Sequence, residues 1–282
     1  MKTIENKTFD AERALYGRQD LLVKNCVFAG PADGESAFKE CCHIEADDCH
    51  FDLRYPFWHC QGLRLHSAEL TTNCRAALWY SSQVAVSDSN LHGIKAFREC
   101  ADVDIRRCDI HSQEFGWSVR NLHMEDCQAV GEYFLLRCEN LQLHKVHFQG
   151  KYAFQYIQNA LLEDCVLDTK DAFWHGKNVT VRNCTLKGEY LGWYSDGLTL
   201  IHCTIVGTQP LCYCKNLRLI ECTMVDTDLA FEKSEVEATL CAPIKSIKNP
   251  LSGHITVPQA EEIILDDPQA KGQVTLTGCP EK

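Results

Sequence analysis

The sequence contains no run of about 18 or more consecutive apolar residues, which a membrane-spanning helix would need. Residues 1–9 are polar and charged and lack the apolar core of a signal peptide. Positive charge is scarce, because 28 Lys+Arg stand against 39 Asp+Glu and give a formal net charge of −11. A surface of this sign repels nucleic-acid backbones and anionic membranes. The sequence therefore predicts a cytoplasmic protein with neither nucleic acid nor membrane as a partner.

Motifs of the common catalytic and cofactor sites are also missing. The sequence has no glycine-rich nucleotide loop, no HExxH zinc motif and no nucleophile elbow. It predicts no cofactor and no metal site. What the chain has in excess is cysteine, with 18 residues. Such a number is typical of small secreted disulfide scaffolds, but this chain has 282 residues and no export signal, so the spacing of the cysteines decides their role.

A single segment, apolar-x-apolar-x-x-Cys, recurs along the chain, as in Val103 to Cys108 and Val179 to Cys184. We call its last position the cysteine column. This column falls at 26, 49, 68, 89, 108, 127, 146, 165, 184, 203, 222, 241, 260 and 279. The first three steps differ in length, and from position 89 onward the step is constant. The positions five and three residues before the column are apolar throughout, and this alternation predicts a strand with one buried face.

The constant step of nineteen is too short for a strand plus a crossover helix, but it suits three short strands and three corners. The predicted fold is therefore all-β, a right-handed, single-stranded parallel β-helix (β-solenoid) of about 19 residues per coil. Asn or Asp often stands six residues before the column, where a tight corner needs a left-handed residue. The alternative fold is a leucine-rich-repeat-like solenoid, although its period is usually about 20 to 29 residues. We predict one domain over 1–282, with an N-terminal cap at 1–14, regular coils at 15–241, and irregular coils and a cap at 242–282.

Fifteen of the 18 cysteines lie on two inward columns, the cysteine column and the position eight residues before it. They are interpreted as small, reduced thiols that fill the core. The alternative is a thiol or metal protein, with Cys41-Cys42 and Cys212-x-Cys214 as paired ligands. The spacing of these pairs matches no common zinc module.

Aromatic residues recur at outward positions. All five tryptophans lie ten residues before the cysteine column, and tyrosine, histidine and charged residues occupy the neighbouring outward positions. Rows of exposed aromatics mark binding surfaces, and flat rings stack on sugars or on protein side chains. The alternative is a ladder of rings that only stacks on itself. The candidate ligand-binding residues are Tyr55, Trp58, Trp79, Tyr80, Arg98, Trp117, Tyr133, Tyr156, Asp171, Trp174, Trp193 and Tyr194.

Catalysis would need positioned acid and base groups on the same face. The candidates are His59, Glu99, Arg137 and His175. Paired carboxylates with Arg or His would suit glycosidic cleavage, so an enzyme on this scaffold would be of the polysaccharide lyase or glycoside hydrolase type.

The coil pattern resembles that of the pectin-lyase-like superfamily of right-handed β-helices. The segments at 7–17 (KTFDAERALYG), 30–40 (GPADGESAFKE), 54–59 (RYPFWH) and 171–184 (DAFWHGKNVTVRNC) resemble a bacterial family known only as a domain of unknown function. This resemblance implies the fold and a bacterial source, and it brings no established activity. The calcium-binding and paired-Asp signatures of the superfamily's secreted pectate lyases and polygalacturonases have no match here.

Three hypotheses follow from the sequence. The first is a carbohydrate-binding or carbohydrate-active β-helix that uses the aromatic positions. The second is a non-catalytic scaffold that uses the same surface against a protein partner or a second copy of itself. The third is the thiol or metal protein.

Overall fold

The computed structural model describes residues 1–278, and Cys279, the last predicted member of the cysteine column, lies outside the described residues. All regular structure in this range is β-strand. The absence of any helix in residues 1–278 removes the basis for the leucine-rich-repeat alternative. Nor is any helix of the length and hydropathy that crossing a membrane requires found in this range. Contacts divide the chain into two compact units, Met1–Gln142 and Leu143–Lys282, where the sequence predicts one domain.

The first unit consists of six-residue main strands that alternate with shorter strands. Its strands, with the one that contains the unit boundary, are β1 (Lys2–Glu5), β2 (Thr8–Phe9), β3 (Gln19–Lys24), β4 (Val27–Phe28), β5 (Cys42–Asp47), β6 (His50–Phe51), β7 (Gln61–His66), β8 (Glu69–Leu70), β9 (Leu78–Trp79), β10 (Ser82–Ser87), β11 (Asn90–Leu91), β12 (Phe97–Arg98), β13 (Ala101–Arg106), β14 (Asp109–His111), β15 (Arg120–Glu125), β16 (Gln128–Glu132) and β17 (Glu139–His144).

The second unit continues the same alternation and ends in less regular strands. They are β18 (His147–Lys151), β19 (Gln158–Glu163), β20 (Val166–Lys170), β21 (Lys177–Arg182), β22 (Thr185–Lys187), β23 (Asp196–Ile201), β24 (Thr204–Val206), β25 (Leu217–Val225), β26 (Glu235–Leu240), β27 (Ile244–Lys248), β28 (Ser252–Val257), β29 (Ala260–Ile264) and β30 (Gln273–Leu276).

Within each unit the main strands pair in parallel with those of the neighbouring coils, so each unit is a β-helix. In the first unit the pairs Leu21↔Ile44, Ile44↔Leu63 and Leu63↔Val84 reproduce the three unequal first steps of the cysteine column, and later pairs keep the constant step. In the second unit β19, β21, β23 and β25 also pair at the constant step. The predicted parallel β-helix and its coil length are confirmed. Residues 1–14, predicted as a cap, contain β1 and β2, and β1 pairs with β3.

The corners use left-handed residues, as the Asn and Asp positions predict. Asn121 has φ 56° and Asp102 has φ 56°, and the Asn121 side-chain amide donates to the Asp102 carboxylate at 2.8 Å. The amide of Asn140 donates in turn to the Asn121 side-chain oxygen at 2.9 Å. Because a carboxamide both donates and accepts, Asn121 links the corners of three successive coils.

The third side of the coil differs from the prediction of three strands. Among residues 1–278, the strand pairs on this side are β9 with β12 and, near the C-terminal end, β27 with β29, where Ile247 bridges to Ala230. The regular coils between them cross this side in turns. Left-handed residues recur at alternate positions, as at Tyr133, Leu135 and Arg137, with φ of 55°, 55° and 56°. Because extended backbone has negative φ, alternate left-handed residues make this side compact, and here Phe134 and Leu135 are both buried while Arg137 is exposed.

The core is filled by side chains that repeat from coil to coil. Phenylalanine rings stack in columns, with centroids 4.9 Å apart for Phe28–Phe51 and 5.2 Å apart for Phe154–Phe173. Thiols fill the corners. The Cys60 thiol donates to the Phe38 carbonyl at 3.0 Å, and burial raises its pKa to about 12. Cys41, Cys212 and Cys214 of the predicted metal pairs are buried as well, and their thiols also lie within hydrogen-bonding range of backbone carbonyls.

The regular pattern ends earlier than predicted. The register shifts between Leu219 and Cys222, and Leu240 rather than Cys241 lies opposite Cys222. Because β26 keeps its period-two alternation through Leu240, Cys241 is exposed, and its predicted inward position is wrong. In the last described coil Leu276, also predicted to be inward, is 52% exposed, since β30 pairs only with β28 among residues 1–278.

Candidate functional site

In each unit the tryptophans, which lie ten residues before the cysteine column, stack from coil to coil, and we call these residues the Trp row. Trp58 and Trp79 are parallel within 5°, with ring centroids 5.3 Å apart. Arg98 takes the place of a ring in the next coil, and its guanidinium carbon lies 4.5 Å from the Trp79 centroid and 4.7 Å from that of Trp117. Cation–π attraction on both sides holds this arginine. Ring faces that contact one another are not available to a sugar.

The indole N–H groups of the Trp row are also occupied. Each donates to a backbone carbonyl in the turn segment of the following coil, at 2.6 to 2.9 Å, and the pairs are Trp58 to Ala76, Trp79 to Lys95, Trp117 to Tyr133, Trp174 to Tyr190 and Trp193 to Gln209. In the second unit Trp174 and Trp193 stack at 5.6 Å and 3°. The Trp row thus satisfies carbonyls that the strand ladders leave open, and it ties successive coils together.

Next to the Trp row, the residues nine positions before the cysteine column form a second stack, the ring row. In the first unit it comprises His59 and Tyr80, whose rings are 4.9 Å apart. In the second unit it comprises four rings, with Tyr156–His175 at 4.9 Å, His175–Tyr194 at 5.1 Å and Tyr194–Tyr213 at 4.9 Å, all parallel within 13°.

The ring row is more exposed than the Trp row. Tyr80, Tyr156 and Tyr194 are 40%, 44% and 45% exposed, whereas the tryptophans are half-buried. Because the ring faces stack on each other, the rings present their edges to solvent, with the phenol hydroxyls and imidazole nitrogens on those edges. Trp193 packs edge-on against Tyr194 and Tyr213, with centroids 6.3 and 5.3 Å away. The result is a line of polar groups carried on stacked aromatic rings.

The four catalytic candidates do not form a cluster. Backbone hydrogen bonds lead from His59 to Trp79, from Tyr80 to Arg98 and from Glu99 to Trp117, so a whole coil separates His59 from Glu99. Another coil, that of Ser118, separates Glu99 from Arg137. His175 lies in the second unit between two tyrosine rings. The structure therefore does not bring these groups together as an acid–base pair.

The predicted residues thirteen positions before the cysteine column have different environments. The Tyr55 ring lies 4.9 Å from Trp58, and Tyr133 is 39% exposed and meets Trp117 edge-on. The predicted outward position of Asp171 is wrong, because this residue is only 6% exposed and does not lie on the surface. Burial raises the pKa of its carboxyl group, against the opposing charge of Lys170.

The sequence reasoning missed a cavity in the first unit. The two long coils place their extra residues at 29–35 and 71–75, on either side of a coil of ordinary length, and these segments line one cavity of about 390 Å³. In it Arg54 pairs with Asp33 at 2.9 Å, and Asn73 donates to Asp52 at 2.9 Å. The two longer steps of the cysteine column were the available signal, since insertions into repeats often build binding loops.

A second cavity, of about 530 Å³, lies over the outward face of the main strands of the first unit, where Gly62 and Ala85 leave space. Asp104 lines it and lies 2.7 Å from the His123 imidazole and 2.9 Å from Arg106. Although partial burial opposes the effect, these hydrogen bonds lower the pKa of Asp104. A carboxylate held ionised in this way accepts hydrogen bonds but is not suited to act as a general acid.

No group of three or more His, Cys, Asp or Glu side chains within residues 1–278 is arranged to hold a metal ion. The cysteines in this range are free thiols, and most are buried.

Residues 2–277 match the family described as "Protein of unknown function (DUF3737)". The chain belongs to this family. The family resemblance predicted from the sequence is therefore confirmed. No curated protein matches the chain.

Among solved structures, the chain is similar to PfbA, a surface adhesin of Streptococcus pneumoniae, with a TM-score of 0.44, 8% identity and coverage of 87% of this chain and 70% of that one. It is also similar to the A-module of the mannuronan C-5 epimerase AlgE4 of Azotobacter vinelandii, with a TM-score of 0.35, 10% identity and coverage of 97% and 87%. A third similar structure is tailspike protein 3 of bacteriophage CBA120, with a TM-score of 0.32, 10% identity and coverage of 99% and 52%.

Proposed function

We propose that the protein binds carbohydrate along its ring row and does not cleave it. The observation that carries this proposal is the line of stacked ring edges in the second unit, formed by the exposed Tyr156, His175 and Tyr194 and the half-buried Tyr213. Phenol hydroxyls and imidazole nitrogens both donate and accept hydrogen bonds, as sugar hydroxyls do. Stacking already fixes the rings, so a ligand need not pay for ordering them.

The ionisable groups support binding rather than cleavage. Glycosidic cleavage needs a carboxylic acid with a raised pKa facing the ligand, together with a second carboxylate. Asp104 and Asp88 have lowered pKa values, the latter because Arg107 donates to it, and they remain ionised. The pKa of Asp171 is raised, but this residue is buried. The cytoplasmic location and the ligand-binding role of the predicted residues stay predictions.

A glycan array followed by calorimetry on the wild type, Tyr194→Ala and Tyr194→Phe tests the proposal. Tyr194→Ala removes the central exposed ring and should weaken glycan binding at least tenfold, while Tyr194→Phe, which keeps the stack and loses one hydroxyl, should have a smaller effect. Thr199→Ala, which changes an outward side chain on β23 in the same unit, is the matched control and should bind like the wild type.

Binding that is equal in Tyr194→Ala and the wild type would contradict a site on the ring row. An empty array would contradict carbohydrate binding itself. In that case a protein partner that is captured by the wild type and lost with Tyr194→Ala would support the scaffold hypothesis instead.

A further inference from the structure

The ring row of the second unit has the repeat of the coils themselves. Its centroid distances are 4.9, 5.1 and 4.9 Å, close to the usual spacing of about 4.8 Å between hydrogen-bonded strands. Backbone bonds between coils fix this spacing, as from Tyr156 N to Trp174 O at 2.8 Å and from His175 N to Trp193 O at 3.0 Å. The polar ring edges therefore recur at constant intervals along a line parallel to the stacking direction.

A periodic surface favours a periodic ligand. If the ligand repeats at the same interval, each added unit comes to lie over the next ring, and the contacts accumulate on one support. If its interval differs, the units lose register with the rings after a few steps. The row thus discriminates by the rise of the ligand per unit as well as by its chemistry.

The charge of the row narrows the ligand further. The row consists of three tyrosines and His175 and contains no carboxylate, lysine or arginine, and Glu232, which follows it in the next coil, is paired with Lys248 at 3.2 Å. A neutral polymer can therefore lie along these rings without burying an unpaired charge against them. Burial and the neighbouring Glu232 raise the pKa of Tyr213, which keeps this phenol protonated.

We infer that the ring row of the second unit binds an extended, neutral, β-1,4-linked glycan that lies along the stack with one sugar per coil. This inference rests on the proposed function and names its ligand class. A β-1,4-linked glucan is straight, and it advances by nearly one coil spacing per sugar. The α-1,4-linked glucan contains the same sugar but curls, so its hydroxyls cannot follow a straight row.

Two series of oligosaccharides that differ only in linkage test the inference. We would titrate the wild type with cello-oligosaccharides and malto-oligosaccharides, each from disaccharide to hexasaccharide. For the β-linked series we expect the association constant to rise by about threefold or more for each added sugar up to the tetrasaccharide, because each sugar adds about one net hydrogen bond, and then to level off at the four rings. The α-linked series should bind weakly at every length.

Two variants show whether the length dependence of binding comes from the ring row. Tyr194→Ala interrupts the row in its interior, so the gain in affinity from the trisaccharide to the tetrasaccharide should vanish, whereas Thr199→Ala should keep the length dependence of the wild type.

Equal binding of both linkages, or an affinity that does not change with length, would overturn the inference. A Tyr194-dependent glycan on the array combined with either of those results would leave carbohydrate binding standing and remove the linkage claim. If no glycan binds in either assay, the proposed function fails and the inference fails with it.

Discussion

Serine replaces cysteine in some coils at the buried position eight residues before the cysteine column. The Cys60 thiol donates to the Phe38 carbonyl at 3.0 Å, and in the next coil the Ser81 hydroxyl donates to the equivalent Phe57 carbonyl at 2.8 Å. The second unit shows the same geometry at Ser234, which donates to Leu211 at 2.7 Å. In these coils the serine hydroxyl takes the place of the thiol, and Val119 and Ile157 fill the position in others, so the chemistry of sulfur is not what it selects.

We expect Cys60→Ser to fold with a free energy of unfolding within about 1 kcal/mol of the wild type, because the hydroxyl can donate to the same carbonyl. Cys60→Ala removes the donor and should cost about 1 to 3 kcal/mol more than Cys60→Ser. Urea titration of the three proteins under reducing conditions measures the difference. If the alanine variant proved as stable as the serine variant, the hydrogen bond would not be what this position requires.

At the scale of the strand, the main strands follow directly from the sequence. Their inward positions are apolar in coil after coil, and in β21 Val179 and Val181 are fully buried while Thr180 between them is half-buried. Alternation of this kind has a single explanation in a parallel ladder, because a shift of one residue would turn the apolar side chains outward.

Val181→Asp should prevent folding, since it places an unpaired charge in the core at a cost of several kcal/mol. Thr180→Asp, on the outward face of the same strand, is the control and should fold with little loss of stability. Soluble yield and thermal melting by circular dichroism distinguish the two variants. A Val181→Asp protein that melts cooperatively near the wild-type temperature would contradict the inward assignment.

The turn side of the coil and the arrangement of the site could not be predicted in the same way. Left-handed φ angles at Tyr133, Leu135 and Arg137 come from the packing of successive coils, because such residues seldom adopt them in isolation. The column of tryptophans predicted aromatic residues in register, but their spacing in the chain is the same whether faces or edges point outward. The bond from the Trp174 indole to Tyr190 O fixes that orientation, and it exists only between coils.

At the scale of the whole chain, many buried thiols have a pKa that is raised in the folded state. Burial raises the pKa of Cys41 and Cys100 to about 11 and that of Cys138 to about 12. In the unfolded chain a thiol ionises at a pKa of about 8.5. Because the folded-state values are higher, these thiols contribute stability that is fully present below the unfolded pKa and is lost as the pH rises towards the folded values.

The melting temperature should therefore be nearly constant from neutral pH to about pH 8 and should fall steeply above about pH 9. A double variant, Cys60→Ser and Cys100→Ser, replaces two of these groups with hydroxyls that do not ionise in this range, so its melting temperature should fall less over the same interval. Differential scanning calorimetry with a reductant that is active at alkaline pH makes the comparison. A melting temperature that stays level to about pH 10 would show that the thiols do not control alkaline stability.

Coils of equal length also raise a problem of counting. Where each coil resembles the next, a strand that settles one place too far along still finds apolar partners and a full ladder of hydrogen bonds. The long coils around 29–35 and 71–75 in the first unit and the displaced Leu240 in the second unit have no equivalent elsewhere in the described part of their units. These irregular segments can pack correctly only when each coil pairs with its true neighbour. A chain that folds one coil out of register leaves them without their partners, and this penalty selects the correct register.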